Sequence, residues 1–132
     1  MKKIALEEHV HSQELGKIRM EWTARTKLPD LINKDFWMTN CMPKMLEPPE
    51  KVRILLMDEA GIDIQVLSPN SPGIQGILDP VEAVEAAIRI NDSLYDFARK
   101  YPDRFLCFAS LPLQNPQAAA DELERCVTKL GF

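Results

Sequence analysis

The feature that most constrains this chain is the order in which its apolar periodicity changes. Lys3–Glu7 alternates as a short strand, and a long irregular loop, residues 10–47, follows it. Pro48 and Pro49 lead into Glu50–Ala60, whose apolar positions recur at three and four; this predicts a helix, with Gly61 as its natural stop. Ile62–Ser68 is a β-branched strand, and Pro69–Leu78 is a loop rich in Gly, Pro, Ser and Asn. Asp79 caps a second helix with Pro80 at its first position. Val81, Val84, Ala87, Ile88, Leu94, Phe97 and Ala98 give that helix an apolar face, and it ends near Tyr101-Pro102. Arg104–Leu111 is a third strand. Asn115-Pro116 repeats the cap-plus-proline start before a third helix, Ala118–Leu130, with Gly131 as its C-cap.

Strands separated by helices pair in parallel and need cover on both faces. Two architectures meet that need, an open doubly wound sheet and part of a (β/α)8 TIM-type barrel. A nucleotide-binding sheet carries a Gly-rich turn after its first strand, whereas this chain reads Glu7-Glu8-His9-Val10-His11, with no glycine to cradle a phosphate. The expected fold class is therefore α/β, a partial barrel comprising its first three βα units. A length of 132 residues fits one domain, and 45% hydrophobic with 27% charged residues argues against disorder. A net charge of −4 without a basic stripe argues against nucleic acid as a partner. No apolar run approaches the ~18 residues of a membrane span, and the N-terminus turns acidic too early for a signal peptide. Cys41, Cys107 and Cys126, an odd count, read as free thiols in a reducing, cytoplasmic setting. Cys107 in its apolar run and Cys126, in helical spacing with Leu123, Val127 and Leu130, are expected to be buried hydrophobes.

The chemistry concentrates at the end of the first strand. Glu7, His9 and His11 are spaced by two, which in an extended segment points them to one side, with Ile4, Leu6, Glu8 and Val10 on the other. A carboxylate and one or two imidazoles converging there form a divalent-metal half-site, at the barrel end where active sites lie. The plainer alternative is a solvated loop in which Glu8 and Glu14 are casual ion partners of the histidines.

Several segments carry a family resemblance. Lys3-Ile4-Ala5-Leu6-Glu7-Glu8-His9 looks like the opening of the amidohydrolase-related aromatic acid decarboxylases, among them the γ-resorcylate and 2,3-dihydroxybenzoate decarboxylases. The likeness continues through Arg53–Ile62, Leu67–Gln75, Asn91-Asp92 and Pro102–Phe132, and is weakest over residues 12–47. The resemblance implies non-oxidative decarboxylation of a hydroxylated aromatic carboxylic acid, with a divalent metal (zinc or manganese) and no nicotinamide or flavin. It maps the family's first-strand metal ligands onto Glu7 and His9 and leaves His11 as a nearby polar residue.

Ser68, Asn70 and Ser71 follow the second strand and are candidates to hydrogen-bond the substrate; Pro69-Asn70-Ser71-Pro72 is also strong turn chemistry by itself. Trp22, Phe36, Trp37, Met38, Met42 and Met45 lie in the long first loop. They suit either an aromatic lid over a flat substrate, with Trp22 contacting it, or a satellite cluster or oligomer contact. Lys17, Arg19, Arg25 and Lys27 suit steering of a carboxylate, or plain solvation.

The family runs to over twice this length, and its later histidine, aspartate and proton donor fall beyond the point matching Phe132. The expectation is thus the N-terminal part of a barrel over residues 1–132, its catalytic acid beyond residue 132, completed by further chain or by association as a homo-oligomer. A hydrolase or hydratase of the same superfamily is the alternative activity, and a non-catalytic remnant is the alternative outside enzymes.

Overall fold

A computed structural model describes residues 1–10, 16–18, 21, 25, 52–70 and 73–132. Strand β1, Ile4–Val10, is followed by helix α1, Arg53–Ala60, and strand β2, Ile64–Pro69. A short 3-10 turn, Gly73–Gly76, leads into helix α2, Pro80–Ala98. Strand β3, Phe105–Cys107, and helix α3, Pro116–Arg125, complete the order, and α3 runs into a π-helical turn at Cys126–Leu130. The strands form one parallel sheet in the order β1-β2-β3. The chain is therefore α/β, with the βα sequence of a partial barrel. No helix among the described residues is long and apolar enough to cross a membrane.

Local chemistry sets the element boundaries. Asp79 Oδ1 accepts from the amides of Val81 and Glu82, and Asn115 Oδ1 accepts from that of Ala118, so α2 and α3 each start on a side-chain cap with proline behind it. Gly61 ends α1 at φ 64°, a left-handed conformation that costs glycine nothing. Two expectations change. The third strand is three residues long rather than eight, because the chain beyond Cys107 leaves the ladder and is held by side chains from α2 and elsewhere. The buried face of α2 is also rotated from the expected one. Ala83, Ala86, Ala87, Ile90, Asn91, Leu94 and Ala98 are buried, whereas Val81 and Ile88 are exposed. Ala83, Ala86 and Ala87 form the small-residue part of the face that packs into the core, beside Ile90 and Leu94.

The core lies between the sheet and these helices. Leu67, Phe105 and Cys107 pack with Met57, Ile74, Ala83, Ile90 and Leu94, and the ring of Phe97 tilts against Phe105 at 5.4 Å between centroids. The alternate residue of β3, Leu106, is exposed on the face turned from the helices.

Candidate metal centre at the end of the first strand

The ladder between β1 and β2 slips by one residue. Ile4 pairs with Ile64 and Ala5 with Gln65, but Glu8 pairs with Leu67, His9 with Ser68 and Val10 with Pro69. Two residues, Leu6 and Glu7, therefore oppose Val66 alone, which is a β-bulge. Glu7 takes φ 60°, the sole non-glycine with positive φ among the described residues. A left-handed residue of this kind costs about 1–2 kcal/mol.

The bulge corrects the expected alternation. Cross-strand partners share a face, so Ile4 and His9 lie on the face of Ile64 and Ser68, while Ala5, Glu8 and Val10 lie on the face of Gln65, Leu67 and Pro69. Ile4 thus stands with His9, not opposite it, and Val10 is buried in the core at 3% exposure. The inserted residue swaps the face on which His9 would otherwise sit.

His9 is exposed, and its Nδ1 lies 3.1 Å from Ser68 Oγ across the ladder. That contact fixes the ring and leaves Nε2 without a partner among the described residues. A bound imidazole is ordinarily oriented in this way, by a hydrogen bond to its second nitrogen. Glu7, two residues before it, is exposed as well. One carboxylate and one oriented imidazole fit a divalent cation of the zinc or manganese kind, but two groups are fewer than the three protein ligands of a catalytic zinc site. No group of three or more His, Cys, Asp or Glu among the described residues is arranged to hold a metal.

Behind the strand end lies a half-buried charged cluster. Arg53 donates to the His9 carbonyl at 2.8 Å and to Gln65 Oε1 at 3.0 Å, and Gln65 Nε2 donates to Glu8 Oε2 at 3.2 Å. Burial lowers the pKa of the Arg53 guanidinium, and the charge of Glu8 opposes that shift. Glu8 is thus part of this cluster and not a partner of His9.

Of the expected substrate contacts, the structure brings Ser68 to His9. Asn70 follows β2 at 7% exposure; its carbonyl accepts from the Gly73 amide, and its Nδ2 is a buried donor with no partner among the described residues. His11, Ser71, Trp22 and the other aromatic and methionine residues of the long loop lie outside the described residues, as do Arg19, Lys27 and Cys41. Arg25 is engaged: its Nη1 donates to both carboxylate oxygens of Glu82, at 2.8 and 2.7 Å, which removes it from the expected steering role.

Sequence reasoning missed a second polar cluster, under the loop after β3. Asn91 is fully buried; its Oδ1 accepts from the Ser110 amide at 2.8 Å, and its Nδ2 donates to the Ser110 carbonyl at 2.9 Å and to Glu122 Oε1 at 2.7 Å. Arg125 grips both oxygens of Glu122 and also donates to Asp92. Burial works to raise the pKa of Glu122, but hydrogen bonds from Arg125, Asn91 and Cys126 together hold it below the usual carboxylate value. The same pairing raises the pKa of Arg125. Burial pushes the thiols of Cys107 and Cys126 up to about 12, aided for Cys126 by the charge of Glu122, so both are inert small hydrophobes as expected. The available signal was an asparagine in the middle of the α2 stripe of Ala87, Ile90 and Leu94.

Two glutamines join the loops that follow β2 and β3. Gln75 Nε2 donates to the Leu111 carbonyl at 3.0 Å, and Gln114 Nε2 donates to the carbonyls of Ile74 and Ile77 at 2.9 and 2.6 Å.

Known proteins share this fold. The chain is 42% identical over 130 residues to a γ-resorcylate decarboxylase of Rhizobium sp., an alignment covering 98% of this chain and 36% of that protein. A solved dihydroxybenzoic acid decarboxylase from Polaromonas sp., with bound manganese and the inhibitor 2-nitroresorcinol, superposes with a TM-score of 0.79 at 42% identity over 99% of this chain and 36% of that one. A 5-carboxyvanillate decarboxylase from Novosphingobium aromaticivorans, complexed with manganese, gives a TM-score of 0.83 at 31% identity over 99% of this chain and 40% of that one. The chain thus spans about 36% of the length of the curated relatives it matches. The Amidohydrolase family profile matches residues 43–132. On that match, and on relatives that align along nearly its whole length, the chain belongs to the amidohydrolase family.

Proposed function

We propose that residues 1–132 form the N-terminal part of a metal-dependent decarboxylase of hydroxylated aromatic carboxylic acids, with Glu7 and His9 as its first-strand metal ligands. The observation that carries this reading is the strand end itself. The bulge leaves the Glu7 carboxylate exposed two residues before His9, whose exposed imidazole is held by Ser68, in a chain whose similar proteins include decarboxylases solved with manganese.

A divalent cation, manganese or zinc, would supply Lewis-acid binding of substrate oxygens and stabilisation of developing charge. Ser68 Oγ engages Nδ1 of His9, which leaves Nε2 as the nitrogen that would bind the cation. Asn70 Nδ2 supplies a donor whose burial cost a substrate carboxylate or hydroxyl oxygen would offset. Ser71 and Trp22 complete the proposed contacts, a hydroxyl donor and an aromatic face for the ring. In the reaction the bond between ring carbon and carboxylate breaks, carbon dioxide leaves, and a proton takes its place on the ring. Neither Ser68 nor Asn70 is an acid suited to that proton transfer, so we assign the proton donor to sequence that the longer relatives hold beyond this span.

The test is carbon dioxide release from a panel of dihydroxybenzoates by the complete enzyme supplied with manganese. We expect release from the 2,6-isomer and its loss in His9→Ala. Release from no member of the panel would end the decarboxylase reading.

A further inference from the structure

Arg53 stands on the sheet face opposite the His9 imidazole, yet it holds the His9 main chain. One guanidinium nitrogen donates to the His9 carbonyl at 2.8 Å, and another donates to Gln65 Oε1 at 3.0 Å. Gln65 passes the contact on to Glu8 Oε2 at 3.2 Å, and that oxygen lies 4.0 Å from Arg53. Such a cluster is out of place in a core. Gln65 is 7% exposed and shares its face with Leu67, which is fully buried among apolar side chains. Polar groups there displace apolar packing and require full hydrogen bonding. The parallel ladder does not need them.

The bulge does. A non-glycine residue in the left-handed region persists only where its surroundings over-determine it. Glu7 is bracketed in this way: Ala5 is fixed by its ladder partner Gln65, Glu8 by the Gln65 side chain, and His9 by Ser68 on one face and Arg53 on the other.

We propose that Arg53 is a positioning residue of the candidate metal centre, holding the bulge so that the Glu7 carboxylate and the His9 imidazole face one cation together. The proposal rests on the reading of Glu7 and His9 as ligands. The planar guanidinium spans two acceptors at once, the His9 carbonyl on β1 and the Gln65 side chain on β2; the point charge of a lysine does not reproduce that fork.

The test titrates Mn2+ against the whole chain and its variants Arg53→Met, Arg53→Lys, Glu8→Gln and His9→Ala, with amide NMR spectra of each recorded without metal. We expect Arg53→Met to weaken Mn2+ binding by about tenfold, the scale of outer-shell changes, and to displace the amide resonances of Glu7, Glu8 and His9. Arg53→Lys should recover only part of the affinity. Glu8→Gln, which keeps the Gln65 contact, should stay near wild type. Abolished binding in His9→Ala alongside unchanged binding in Arg53→Met would overturn the positioning role and leave the ligand reading standing. Unchanged binding in His9→Ala overturns the ligand reading instead. The metal-free spectra then decide the bulge alone: unmoved resonances in Arg53→Met reject the role of Arg53, and displaced ones retain it. Should Arg53→Met fail to fold, Arg53→Lys and Gln65→Leu make the same comparison.

Discussion

Two of the polar clusters among the described residues are built to opposite ends. Around Asn91 every described group is buried or paired: both backbone atoms of Ser110, both oxygens of Glu122 and three nitrogens of Arg125 are engaged. Around His9 one layer is tied down from behind by Arg53 and Gln65, while Glu7 and the far nitrogen of His9 face outward. The first cluster carries charge in order to fix a loop. The second fixes a strand in order to present charge. Buried polarity in the one case is an anchor; in the other it is the backing of an exposed strand end.

That contrast orders the experiments. The largest effect falls on the anchor. Asn91→Ala removes the partner of two Ser110 backbone groups and a Glu122 oxygen, and should cost about 3 kcal/mol in urea unfolding, the scale of breaking a buried charged network. Acid probes the same cluster. Because Glu122 titrates below its unfolded value, its contribution is present above the ordinary carboxylate range and is lost as pH falls through the depressed folded value. Unfolding midpoints measured downward from pH 6 should therefore fall for wild type and fall less steeply for Glu122→Gln. On the presenting side, Glu7→Gly relieves the left-handed strain and should stabilise the fold by about 1 kcal/mol while abolishing Mn2+ binding. A loss of stability there would show that the bulge is not strained. Ser68→Ala should change stability by less than about 0.5 kcal/mol, since its site is not deeply buried, yet weaken Mn2+ binding several-fold through the loosened ring. The smallest effect is chemical: Cys107 and Cys126 should resist alkylation at pH 8 until the chain unfolds.

The order of elements was legible because caps, prolines and Gly61 punctuate it and the apolar period changes between them. The position of His9 at the end of β1 was legible for the same reason. The face on which it stands was not. A bulge adds one residue without any compositional mark, and the left-handed residue here is a glutamate, a type that gives no hint of the conformation. The shortness of β3 was equally hidden, because Leu106-Cys107-Phe108-Ala109 reads as strand while Asn91 draws the chain away at Ser110. Asn91 itself was visible as a polar residue within an apolar stripe, but its partners are 19 and 31 positions away and only folding brings them near.

The loops after β2 and β3 carry one more consequence, a mechanical one. Loops ordinarily open singly and at low cost. Here Gln75 reaches from the first loop to Leu111 in the second, and Gln114 reaches back to Ile74 and Ile77. Neither loop swings without breaking hydrogen bonds to the other, so the two form a single stiff arc beside the strand ends. Amides along that arc should exchange with solvent together, as one opening event.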